Sequence, residues 1–181
     1  MKKWIILIIT LPIFAIATDC DPYYHEGFYL NLFGGASFAH HQKIEHKTKI
    51  KTGYVAGGSL GYITPWRFRL EGEMAYRRHM VKENGHGHFS SLAYMGNLIV
   101  DNPLEFWMRP YIGAGIGYAH NLQSIREKGS HDKNGFAWQA LGGFAFYLLR
   151  WVDLNIEYRY FQPNVAYYHS QNVIGGLRFH Y

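Results

Sequence analysis

The chain has 181 residues, of which 18% are aromatic and 17% charged, with 20 glycines, 11 histidines, one cysteine and a formal net charge of +5. That length suits one domain, and a single cysteine excludes an internal disulfide. Mean hydropathy is −0.21, and beyond the N-terminus no apolar run approaches the ~20 residues of a helical span. A helical membrane protein is therefore excluded, whereas a membrane β-barrel, whose strands show only alternation, is not.

The first residues read as a secretory signal. Lys2 and Lys3 form a basic head, Trp4 to Ala17 an apolar run shorter than a membrane helix, and Ala15-Ile16-Ala17 the small residues a signal peptidase accepts. Residues 1–17 are expected to be the cleaved signal, 18–26 a mature N-terminal segment, and 27–181 an outer-membrane β-barrel. Asp19 stands before Cys20, where lipid attachment to the cysteine needs a small residue, so Cys20 is expected to remain a free thiol.

The rest of the chain reads as about eight strands, an even number that suits a closed antiparallel barrel. In chain order they are 27–38, 52–64, 67–79, 89–101, 107–119, 135–148, 152–161 and 171–181. Segment 67–79 sets Phe68, Leu70, Gly72, Met74 and Tyr76 against Arg67, Arg69, Glu71, Glu73 and Arg77. Segment 152–161 sets Val152, Leu154, Ile156, Tyr158 and Tyr160 against Asp153, Asn155, Glu157 and Arg159. A helical period would scatter these charges, whereas a period of two collects them on one face. Connections 64–66, 102–106 and 149–151 are short, while 39–51, 80–88, 120–134 and 162–170 are mostly longer. Short turns at one end and long loops at the other are an outer-membrane arrangement, with the loops outside.

A soluble barrel also alternates, but with its apolar face inward. Three features favour the reverse sense. Trp66, Trp107 and Trp151 all fall at the short-turn ends, where indoles would form a girdle at the membrane interface. The charged face mixes signs, with Arg69, Arg77, Arg109, Arg159 and Arg178 against Glu71, Glu73, Asp153 and Glu157, as a buried polar interior requires. The last strand alternates through Val173, Gly175, Leu177, Phe179 and a final Tyr181, a pattern similar to the signal read by the barrel-assembly machinery.

Several stretches together carry a family likeness: Gly27-Phe28-Tyr29-Leu30, the run Arg109-Pro110-Tyr111-Ile112-Gly113-Ala114-Gly115-Ile116-Gly117, Trp138-Gln139-Ala140, Asn155-Ile156-Glu157-Tyr158-Arg159-Tyr160, and Leu177-Arg178-Phe179-His180-Tyr181. In that order they resemble the eight-stranded outer-membrane barrels, the family of the opacity adhesins and the membrane domain of outer membrane protein A. The resemblance implies the bacterial outer membrane as location, and membrane lipid and lipopolysaccharide as neighbours. The chain stops at the last strand, so no peptidoglycan-binding role is implied.

Eight strands enclose an interior just wide enough for side chains to fill. The set Arg69, Glu71, Glu73, Arg77, Arg109, Asp153, Glu157, Arg159 and Arg178 is expected to form a structural ion-pair network, with a narrow ion-conducting path as the alternative. Specific function then falls to the loops. His40, His41, His46, His79, His86, His88, His120, His131 and His169 lie in or beside them, with Lys43, Lys47, Lys49, Lys51, Lys82, Lys128 and Lys133. Such a rim would attract lipopolysaccharide phosphates or sulfated host glycans, more strongly as falling pH charges the imidazoles. His40-His41 and His86-Gly87-His88 have the chemistry of zinc, copper or nickel ligands but lack a fixed ligand spacing, so neither metal nor cofactor is expected. A lipid A-modifying enzyme would need a serine, a base and an acid. His169-Ser170 are strand neighbours facing opposite ways, and no acid accompanies Ser90, Ser91, His86 and His88, so no enzyme is expected. No nucleic-acid motif is present.

Overall fold

A computed structural model describes residues 26–41, 52–81, 87–102, 108–125, 129–164 and 168–181. Alternation builds eight antiparallel strands: β1 (Gly27–His41), β2 (Gly53–Ile63), β3 (Phe68–Val81), β4 (Gly87–Asp101), β5 (Met108–Ile125), β6 (Gly129–Leu149), β7 (Val152–Pro163) and β8 (Tyr168–His180). Each pairs with its sequence neighbour, and β8 pairs with β1 from Tyr29↔His180 to His41↔Tyr168, so the sheet closes with no free edge. Closure matters because an unpaired strand edge in hydrocarbon would leave backbone groups without partners.

The β2–β3 turn is tied locally. Thr64 N–H donates to the Phe68 carbonyl at 2.9 Å, Phe68 N–H donates to Thr64 Oγ1 at 3.2 Å, and Arg67 takes a left-handed φ of 63°. The β6–β7 ladder shifts register between Tyr147 and Leu149 as the chain enters the turn at Arg150.

The faces follow the alternation. Along β7, Asp153, Asn155, Glu157, Arg159 and Phe161 are buried inside, while Leu154, Ile156 and Tyr158 are exposed outside. Leu32, Leu60, Leu70, Met74, Leu98, Ile112, Ile116 and Val173 are likewise exposed. Apolar out and charged in is the membrane sense. The outer wall has two aromatic levels: Phe28, Trp66, Phe68 and Trp151 near the short-turn end, and Tyr54, Tyr76, Tyr94, Tyr118 and Tyr158 toward the loop end. No helix among the described residues is long and apolar enough to cross a membrane; the crossing is made by strands.

Every strand but β2 runs past its predicted loop-side end, and two expected loops contract sharply. Region 120–134 is largely ladder, paired from His120↔Asn134 to Ile125↔Gly129. Region 162–170 is shortened because β7 reaches Pro163 and β8 begins at Tyr168. Alternation fades there because both faces are polar, yet backbone pairing continues without it. Connections 126–128 and 164–167 are no longer than the short-turn connections 64–67 and 102–107, so length asymmetry rests mainly on the first loop.

Candidate functional site

The interior is built in layers. Nearest the short turns, Asp153 on β7 gathers three partners: Arg109 Nη2 at 2.8 Å, His180 Nε2 at 3.0 Å and Arg178 Nη1 at 3.7 Å. Arg69 Nε meets Asp101 at 3.2 Å. Its guanidinium lies 4.6 Å from the Tyr111 ring centroid, and that of Arg178 lies 5.2 Å from the Tyr29 ring centroid. The two phenols donate to carboxylates, Tyr29 to Glu71 and Tyr111 to Glu157, the latter at 3.1 Å.

The next layer centres on Arg159. It pairs with Glu73 at 2.6 Å and with Glu157, and lies 4.5 Å from the Phe33 ring centroid. Gln139 donates to Asn97 at 2.7 Å and to Glu73 at 3.1 Å, and Asn97 donates to Glu73 at 2.8 Å. Among the described residues, five buried arginines (Arg69, Arg77, Arg109, Arg159, Arg178) face five buried carboxylates (Glu71, Glu73, Asp101, Asp153, Glu157). This balance is what a low-dielectric interior demands, since a buried charge without a counter-charge is costly.

Above the ions comes an apolar layer to which every strand contributes. Phe33, Val55, Ala75 and Ile174 form one cluster, and Ala93, Met95, Ala119, Ala137 and Phe161 the other. The Arg77 guanidinium sits 3.9 Å from the Phe161 ring centroid. Glycines make room for this filling. A Cβ at Gly61 would stand 2.3 Å from the Tyr29 ring, and one at Gly115 would stand 1.9 Å from Asn97 Oδ1. Toward the loop end, Ser37 donates to Asn172 at 2.6 Å and lies 3.3 Å from His79 Nε2. Ser37 thus bridges Asn172 on β8 and His79 on β3.

The nine network candidates, Arg69, Glu71, Glu73, Arg77, Arg109, Asp153, Glu157, Arg159 and Arg178, are all buried inside the wall. Sequence reasoning missed Asp101, His180, Tyr29, Tyr111, Asn97 and Gln139, although each lies in phase with the inward residues of its strand. It also placed His79 beside a loop. That is corrected: His79 is 1% exposed inside β3, because position 79 continues the inward series through Arg77. His120 and His169 belong to the wall strands β5 and β8. Ser170 is buried inside while His169 falls in the outward series, so the two diverge. Trp66 and Trp151 are exposed at the short-turn end; Trp107 lies outside the described residues. So do Lys43, His46, Lys47, Lys49 and His86, while His40, His41 and His88 are placed only by their strand positions.

A closed eight-stranded barrel with an apolar exterior, aromatic interface levels and a filled polar interior defines an integral outer-membrane barrel protein. The chain belongs to the outer membrane protein β-barrel domain family, which matches residues 7–179, and its place is the bacterial outer membrane. Solved structures agree on the fold. Neisserial surface protein A superposes with a TM-score of 0.69 at 19% identity, covering 86% of this chain and 97% of that one. The outer membrane protein OprG of Pseudomonas aeruginosa gives 0.61 at 14% identity, covering 88% and 99%. The attachment invasion locus protein Ail of Yersinia pestis gives 0.57 at 16% identity, covering 86% and 100%. A search among curated proteins finds no significant match.

Proposed function

We propose that the chain is a non-enzymatic surface protein whose barrel is an anchor and whose basic, histidine-rich loop end, facing the cell exterior, contacts polyanions such as sulfated glycans or lipopolysaccharide. The observation that carries this reading is the filled interior. With ion pairs below and an apolar layer above, the barrel offers no ready path for solutes, so specificity falls to the connections at the loop end. Among these, 42–52 is the longest and holds Lys43, His46, Lys47, Lys49 and Lys51. The fold neighbour Ail has been crystallised with the heparin analogue sucrose octasulfate, which supports polyanion contact as a use of this fold.

An imidazole gains charge as pH falls, so binding by a histidine-rich loop end should strengthen toward acid. Retention on heparin at pH 5.5 and 7.5 tests this. Tighter, salt-sensitive binding at the lower pH is expected, and equal weak retention at both would overturn the reading. The narrow-channel alternative is disfavoured by the apolar layer. The interior ion pairs are read as structural, and Phe179 and Tyr181 as the contact for the assembly machinery.

A further inference from the structure

The outward face of the wall carries cations as well as apolar residues, and their positions are not random. On β3, Arg78 follows two residues after the exposed Tyr76 and is register partner to Tyr54 on β2 and Ser90 on β4. On β5, His120 follows two residues after the exposed Tyr118. Its ring meets Tyr118 edge-on at 5.1 Å and Tyr94 at 6.3 Å. Tyr94 and Tyr118 are themselves register partners, as are Leu92 and His120. Arg78 and His120 therefore each lie one outward step beyond a tyrosine, on strands separated only by β4, where their partners Ser90 and Leu92 are two residues apart.

Arg78 is half-buried, and its Nε is shielded from solvent yet has no hydrogen-bond partner among the described residues. Among the described residues, no carboxylate answers it on this face. The buried acids Glu71, Glu73, Asp101, Asp153 and Glu157 all face inward, and the ion pairs among the described residues lie inside the barrel. A cation set at an interfacial tyrosine level, with its stem against the wall and a donor unfilled, calls for an anion from outside the protein. Tyrosine marks the depth at which hydrocarbon gives way to polar headgroups, and the anions at that depth are lipid phosphates.

We propose that Arg78, with the ring N–H of His120, forms a lateral clasp for the phosphate of a lipid in the outer leaflet, its acyl chains lying along the exposed Met74 and Leu98. Arginine fits this role because its guanidinium can give two parallel N–H donors to one phosphate. The clasp shares the loop-outward orientation of the preceding reading but none of its residues. The loops would meet sulfated glycans or the sugar chain of lipopolysaccharide, whereas the wall takes the phosphate and acyl chains of the lipid itself.

Native mass spectrometry of the full chain in detergent, with bisphosphorylated lipid A added, tests the clasp. Arg78→Gln should lower the lipid-bound fraction about fivefold, the worth of one cation near a membrane surface. Arg78→Lys should retain most of it, and Arg150→Gln at the opposite end should leave it unchanged. Dephosphorylated lipid A should bind all variants alike and weakly. His120→Asn reads the same clasp from β5 if Arg78→Gln fails to give the folded, heat-modifiable gel band. Equal lipid A retention by wild type, Arg78→Gln and His120→Asn would overturn the proposal, as would equal losses for phosphorylated and dephosphorylated lipid. Lys47→Gln/Lys49→Gln should reduce heparin retention without touching lipid A retention, so this inference and the loop reading can fail separately.

Discussion

Asp153→Asn isolates what the interior charges contribute. The substitution keeps side-chain shape but removes the anion that Arg109 meets at 2.8 Å, His180 at 3.0 Å and Arg178 at 3.7 Å. At an effective dielectric of ~20, Coulomb's law gives about 6 kcal/mol for the nearer arginine and about 4 kcal/mol for the farther. The net loss is smaller, because the carboxylate no longer has to be desolvated and Arg178 can turn toward Glu71. Breaking a buried pair from one side costs about 3–5 kcal/mol, and that range is expected here. Urea unfolding in micelles, followed by tryptophan fluorescence and by the heat-modifiable gel shift, would measure it. A double-mutant cycle with Arg109→Met should recover part of the loss, since the stranded cation goes too. A loss under about 1 kcal/mol would refute the view that Asp153 organises the lower layer, because that is the scale of a solvent-screened pair.

Other consequences separate the two faces. Gly61→Val drives a side chain into the Tyr29 ring, whereas a Cβ at Gly72 meets nothing within 4 Å. The first should destabilise by about 1–3 kcal/mol through overpacking, and the second should be near neutral in the same unfolding assay. Ile116→Arg at the middle of the lipid-facing band should cost about 2–4 kcal/mol, while Trp66→Arg at the interface level should cost ~1 kcal/mol or less; refolding into bilayers would rank them. Purified protein in planar bilayers should show no stepwise openings, and resolved, reproducible steps would mean the apolar layer does not close the barrel.

The strands were legible because each wall strand separates lipid from a polar interior, so period-two alternation is forced on the sequence between the two aromatic levels. It fails where the ladder rises beyond the second level. In 120–134, polar residues occupy both faces and the register, not the pattern, keeps β5 and β6 paired. The signs of the interior charges were legible but not their partners, because Arg109 on β5 meets Asp153 on β7 past the intervening β6, through registers that a single sequence does not encode locally. Asp101 was hidden beside the Asn102 turn. His79 was misplaced because a histidine near a strand end reads as loop until inward parity is counted from Arg77. The tyrosine level at the loop end went unnoticed because tryptophan gives the stronger interfacial signal, yet that level places Arg78 and His120.

The central claim is that a filled barrel delegates recognition to its basic loop end. Its most direct test is the affinity of the folded protein for a sulfated polysaccharide at pH 5.5, compared with a variant carrying Lys43→Gln, Lys47→Gln and Lys49→Gln. Each lysine removed near a charged surface should cost about 1 kcal/mol, so affinity should fall about a hundredfold, with a shallower dependence on salt. Unchanged affinity and an unchanged salt slope would place recognition elsewhere on the molecule and contradict the account.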